Sequence, residues 1–209
     1  MSQFILTPAN VTTRAQRWAA YLFRLVGWRA RLAPLPGPRG IVVVYPHTSN
    51  WDMPIGLIAK WVMGIKFRWL VKSSFFKGVA GVVLGPLFRY WGGVPIERQG
   101  QTGVIEKLAK RMVEGEPYWL VIAPEGTRSY RPHWRSGFYH LALTSKLPLG
   151  LAYIDYDTRE VGLVDFLYLT GDVEADMARI RAAYDGRRAL KPALAAPITL
   201  PVDKASTAQ

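Results

Sequence analysis

Residues 41 to 54 read Ile-Val-Val-Val-Tyr-Pro-His-Thr-Ser-Asn-Trp-Asp-Met-Pro. Four β-branched residues in a row predict a strand buried on both faces. The run stops at Pro46, and His47 and Asp52 follow, five positions apart. Asn50 or Asp52 can cap a helix beginning around Met53, with Pro54 suited to its first turn. Within one continuous helix five residues turn about 140°, so the two side chains would diverge. A strand–turn–helix corner instead lets the carboxylate hold the imidazole, which is the geometry of a general base with an orienting acid. A capping and packing pair is the plain alternative for the same two residues.

Outward from this corner, strands and helices alternate. Apolar runs predict strands at 65–71, 92–98, 118–123, 147–156 and 161–169, the last two joined as a hairpin through Asp155-Tyr156-Asp157-Thr158-Arg159. Helices are expected at 53–63, 102–115, 136–145 and 172–184, the last capped by Asp172 and ended by Gly186. This alternation predicts an α/β sandwich on a mixed, partly parallel sheet. Residues 12–31 form a further expected helix, with Trp18, Leu22, Phe23, Val26 and Ala30 on one side and Arg14, Arg17, Arg24 and Arg31 on the other. Such a face pair suits a helix lying in a membrane interface, and equally a surface helix packed on the core. We divide the chain into residues 1–38 (this helix and a Pro/Gly connector), a domain at 39–189, and an extended tail at 190–209. The very apolar stretch 75–91 is expected to be core, an acyl-chain groove or a lipid contact.

The 209 residues carry a net charge of +12, which calls for an anionic partner. Nucleic acid, an anionic membrane surface and a phosphorylated substrate or acidic carrier all qualify. The basic residues are spread along the chain and the aromatics sit in apolar runs, which argues against a nucleic-acid module. Eight tryptophans and ten tyrosines suit both a packed core and a membrane interface. Without cysteine, thiolate chemistry and disulfides are excluded. No charge-free run reaches the roughly 18 residues of a spanning helix, and the start of the chain lacks the pattern of a secretory signal.

Three chemical features fall at strand ends: His47 with Asp52, Arg98, and the turn Pro124-Glu125-Gly126-Thr127-Arg128-Ser129. In α/β folds such ends converge on a ligand crevice. Arginines grip phosphate bidentately, and Gly126 permits a close backbone approach. Lys72, at another strand end, is a further candidate for phosphate contact.

In their order and spacing, His47-x4-Asp52, Gly92-Gly93-Val94-Pro95-Ile96-Glu97-Arg98 and Pro124-Glu125-Gly126-Thr127-Arg128-Ser129 resemble the first three sequence blocks of the 1-acylglycerol-3-phosphate acyltransferase family. Leu147-Pro148-Leu149-Gly150-Leu151 is similar to the fourth. The chain departs from the pattern at Pro46, Ala123 and Leu151, which leaves the acceptor's identity open. The resemblance implies the glycerolipid-acyltransferase fold and acyl transfer from acyl-CoA or acyl carrier protein to a lysophospholipid such as 1-acylglycerol-3-phosphate. It implies His47 as base, oriented by Asp52, and an acceptor phosphate held by Arg98, Arg128 and the Glu125–Thr127 turn. No metal and no cofactor beyond the thioester co-substrate are expected. The enzyme would sit peripherally on the cytoplasmic face of a membrane, bound to its anionic surface. Acylation of a different lysolipid, thioester hydrolysis and non-catalytic lipid binding are the competing readings.

Overall fold

The computed structural model describes residues 3–96 and 103–201. Its centre is β3 (Gly40–Val44), the strand expected from the β-branched run. Ile41 and Val43 enter one apolar cluster and Val42 the opposite one, because successive side chains leave a strand on opposite faces. Both faces are covered, which is why the run carries no polar alternation.

Beside β3 lie β6 (Trp119–Ile122) and β7 (Leu149–Asp155), both parallel to it. Beyond β6 come β4 (Phe67–Lys72) and β5 (Gly93–Ile96), also parallel. On the other side β8 (Glu160–Leu167) returns antiparallel from β7. The carboxyl ends of β3, β4, β5, β6 and β7 therefore share one edge, where ligand crevices form in such sheets.

Two strands lie outside the expected set. β1 (Phe4–Leu6) and β2 (Arg29–Leu32) extend the sheet beyond β8 to give the order β1-β2-β8-β7-β3-β6-β4-β5. The expected helix over 12–31 is accordingly shorter. α1 (Arg14–Leu25) starts at a Thr13–Gln16 capping box, and the chain turns at Gly27, whose φ of +81° an L side chain rarely adopts. The alternating Arg29-Ala30-Arg31-Leu32 then pairs with β8, with Ala30 inward and Arg31 bound to Glu160 at 3.0 Å.

α1 packs beside α2 (Asp52–Met63) through Ala19, Ala20 and Phe23; of the apolar face expected from the sequence, Phe23 is the helix residue that enters the core. Small alanines let the two helices approach, and the bulky residues are left outside: Trp18 is 76% exposed and Leu25 84%. On the opposite face lie α4 (Val104–Glu114), α5 (Gly137–Ser145) and α6 (Val173–Ala183). α3 (Gly78–Tyr90) follows the short 3-10 turn Ser73–Phe76 near β5. It exposes Val82 and Tyr90, so part of the apolar stretch 75–91 is surface and not core. Among the described residues no helix is long and apolar enough to cross a membrane.

The tail makes a short 3-10 turn at Pro192–Leu194 and then runs on as a strap along the carboxyl edge. Its Ala196 carbonyl accepts from the Tyr45 hydroxyl at 3.0 Å, and its Thr199 carbonyl from the Trp134 N–H at 2.8 Å.

Candidate active site

β3 ends at Val44 and the chain turns through Tyr45, Pro46 and His47 before α2 begins. Asp52 is the first residue of α2, not its cap; Trp51 holds the cap position without a side-chain bond. This frees the Asp52 carboxylate for the preceding loop. His47 Nδ1 lies 3.1 Å from Asp52 Oδ2. The same oxygen accepts the Ser49 N–H at 2.9 Å, while Oδ1 accepts the Tyr156 hydroxyl at 2.6 Å. Burial pushes this carboxyl upward, but the bonds from His47, Tyr156 and the Ser49 N–H outweigh it and hold Asp52 below the usual carboxylate range. A carboxylate on Nδ1–H fixes the tautomer and leaves Nε2 as the basic nitrogen. The His47 side chain is 21% exposed, whereas that of Asp52 is buried.

From the neighbouring β6, the chain continues into Ala123-Pro124-Glu125-Gly126. Glu125 is buried, and its two oxygens accept the His47 N–H at 2.7 Å and the Ala196 N–H at 3.0 Å. Burial pushes its carboxyl up to about 7, against the pull of those two donors, and the nearby Asp52 charge adds to the rise. Glu125 is thus the joint between the histidine loop, the Glu125–Arg128 turn and the C-terminal strap.

Gly126 adopts φ +66°, and a Cβ there would stand 2.6 Å from Arg135 Nε. Both the backbone and the neighbouring guanidinium exclude a side chain at this position. Arg135, whose N–H bonds the Pro124 carbonyl at 2.9 Å, thereby comes against the turn. Arg128 is exposed and reaches back to the Ser49 carbonyl through Nε at 3.2 Å, clasping the histidine loop. The Thr127 hydroxyl accepts the Ser129 N–H at 3.2 Å. Lys72 ends β4 on the same edge of the sheet, and Arg98 lies outside the described residues, two positions beyond the end of β5.

Next to the turn is a cavity of about 160 Å³ between α4 and α5. Leu70, Ile105, Leu108, Ile122, Phe138 and Leu141 line it, and its surface is almost wholly apolar. It is not built from the 75–91 stretch that the sequence suggests as an acyl groove.

Sequence reasoning misses Tyr156 and the strap residue Ala196. The one signal for Tyr156 is its place in a turn after a strand parallel to β3. Ala196 acts through its backbone and leaves no trace in residue type.

Residues 30–151, more than half of the chain, match the model of the acyltransferase family. The chain belongs to that family. The fold is that of the crystal structure of a 1-acyl-sn-glycerophosphate acyltransferase from Thermotoga maritima, with a TM-score of 0.52 and 16% identity over 84% of this chain and 80% of that one. No curated protein sequence matches the chain significantly.

Proposed function

We propose that this acyltransferase moves a fatty acyl group from acyl-CoA or acyl carrier protein to the hydroxyl of a lysophospholipid, with 1-acylglycerol-3-phosphate as the leading acceptor. The observation that carries the reading is His47 Nδ1 against a buried, fully hydrogen-bonded Asp52 carboxylate, beside a turn that bears Arg128. His47 Nε2 takes the acceptor hydroxyl proton as that oxygen bonds to the thioester carbonyl. The carbon–sulfur bond then breaks, and the leaving thiolate recovers the proton from the imidazolium. Asp52 fixes the tautomer and stabilises the imidazolium. The chain has no cysteine, and the hydroxyl of Ser49, the serine nearest the pair in the loop, accepts the Trp51 N–H at 3.2 Å. Direct transfer is therefore favoured over an acyl-enzyme. The thioester is a co-substrate, and no resident cofactor takes part.

Arg128 is assigned to the acceptor phosphate, together with Arg98, Lys72 and the Glu125–Thr127 turn. Arg128 uses Nε on the Ser49 carbonyl, which leaves its terminal nitrogens for an anion. Arg128→Ala is expected to raise the acceptor KM about ten- to a hundredfold, the scale of one hydrogen bond between charged groups. The donor KM stays constant. Unchanged acceptor dependence would reduce Arg128 to a clasp for the histidine loop. The apolar cavity beside the turn suits part of an acyl chain.

The enzyme is proposed to act while lying on an anionic membrane surface, on its cytoplasmic side. α1 supports this: Trp18, Tyr21, Leu22 and Leu25 are exposed along one stripe, with exposed Arg14, Arg17 and Arg24 around it. Removing residues 1–31 is a poor test, because it also removes the buried Phe23, Trp28 and Ala30. Exchanging Trp18, Leu22 and Leu25 for serine leaves the core untouched. It is expected to reduce sedimentation with phosphatidylglycerol vesicles at least tenfold, and binding at the original level would move attachment away from α1.

Incubation with labelled acyl-CoA or acyl carrier protein and a panel of lysolipids tests the reaction itself. Label in one diacyl lipid is the expected result. Label only in free fatty acid would indicate a thioesterase, and vesicle binding without turnover a lipid-binding protein.

A further inference from the structure

We propose that Tyr156 is the residue that positions the His47–Asp52 pair, by holding Asp52 Oδ1 so that Oδ2 stays on the imidazole. The inference rests on the reading of His47 as base and adds a group to that site.

Asp52 Oδ2 is shared by His47 Nδ1 and the Ser49 N–H. Both partners come from the loop that the carboxylate is meant to orient, so neither can fix the carboxylate independently of that loop. Tyr156 can. It follows β7 directly, and β7 is paired with β3 along Ile41–Val44. The sheet therefore carries Tyr156 to the same edge as His47 by a separate path. Its hydroxyl donates to Oδ1 at 2.6 Å, a charge-assisted bond that can form in one direction only while the carboxylate is ionised.

The ring is held in its turn. Trp28, buried, meets Tyr156 edge to face at 5.1 Å between centroids, and the Tyr156 N–H bonds the Arg188 carbonyl at 3.0 Å. A donor fixed from both sides and aimed at a buried carboxylate sets the plane of that carboxylate. The bond also favours the neutral phenol: burial and the Asp52 contact hold Tyr156 well above the ordinary tyrosine range, so it donates throughout the working pH range. Among the described residues, the other ionisable groups facing this carboxylate are His47 and Glu125. Beside Tyr156 in the turn stand Asp155, paired with Arg187 at 3.6 Å, and the exposed Asp157.

The test compares wild type, Tyr156→Phe, Asp52→Asn and the double variant, with His47→Ala as control. Phenylalanine keeps the ring against Trp28 and removes only the donor. The expected result is a loss of about tenfold in kcat for Tyr156→Phe, with both KM values unchanged. The acid limb of the kcat profile moves to higher pH, because a carboxylate relieved of one donor favours the protonated imidazole more. In the Asp52→Asn background the same change costs nothing further, whereas a merely structural loss would recur there. Trp28→Phe, which retains the hydroxyl and loosens its support, provides a second variant with a smaller loss and the same insensitivity. Equal losses in both backgrounds, wild-type kcat with an unmoved pH profile, or a raised acceptor KM at constant kcat would each overturn the inference. Activity surviving in His47→Ala would instead overturn the reading of the base, an outcome none of the Tyr156 variants can mimic.

Discussion

His47→Ala is expected to lower kcat about a thousandfold, within the range of roughly 10² to 10⁴ that a positioned general acid–base group contributes. The protein should remain folded. His47 is partly exposed, and its ring meets the Asp52 carboxylate as its polar contact. After its removal Asp52 keeps the Tyr156 hydroxyl and the Ser49 N–H, so no buried charge is stranded. The Glu125 anchor uses the His47 backbone and is untouched by the substitution. Circular dichroism and the melting temperature should therefore match wild type, and vesicle binding should persist. The assay that decides is transfer of labelled acyl groups to the preferred lysolipid under saturating donor. Activity within tenfold of wild type would show that the alcohol is deprotonated by another group, or that attack needs no base.

Much of this arrangement is legible in the sequence because it is local. The β-branched run at 41–44 can be placed without knowing its neighbours, and His47 and Asp52 belong to the single corner that follows it. The glycine at 126 announces a special backbone, and the structure adds the reason that Arg135 occupies the space of its Cβ. What is illegible depends on partners distant in the chain. β2 is four residues of mixed character whose strand state comes from pairing with β8, about 130 residues later. A helical pattern extends over it because nothing local forbids that. The face of α1 misleads for a related reason. Periodicity finds the apolar side and places Phe23 correctly, but Ala19 and Ala20 share the core contact because they admit a neighbouring helix, while Trp18 and Leu22 are left outside. Position alone makes Asp52 a candidate cap, yet its carboxylate is committed to His47 and Tyr156, an allegiance that only the folded corner creates.

Replacing Glu125 should show how far the site depends on a residue that need not touch substrate. Glu125→Ala leaves the His47 and Ala196 N–H groups without their acceptor. At about 1–3 kcal/mol for each stranded buried donor, the loss of stability is roughly 2–6 kcal/mol. Because one of the two donors belongs to His47 itself, kcat is expected to fall at least about a hundredfold in the fraction that stays folded. Glu125→Gln separates charge from shape. In the folded protein the carboxyl is pushed up to about 7 from an ordinary value of 4.5, so between these values the folded state binds the extra proton and the unfolded state does not. Stability from this group is complete below 4.5 and is lost as pH rises toward 7. The full span is about 3 kcal/mol, because each pH unit separating the folded from the unfolded value is worth about 1.4 kcal/mol. Urea unfolding of wild type at pH 5 and pH 7.5 should show that decline. Glu125→Gln should flatten it while being less stable at both, since one of its two acceptor atoms becomes a donor facing an N–H. Asp52 does not obscure the comparison: its carboxyl is lowered, so its contribution is lost only below the usual carboxylate range, and it is the same in both proteins. Identical slopes in the two proteins would mean that the paired N–H groups keep Glu125 ionised despite its burial. The turn would then be held by a permanent charge beside Asp52, and that charge would oppose the acceptor phosphate that Arg128 is proposed to hold.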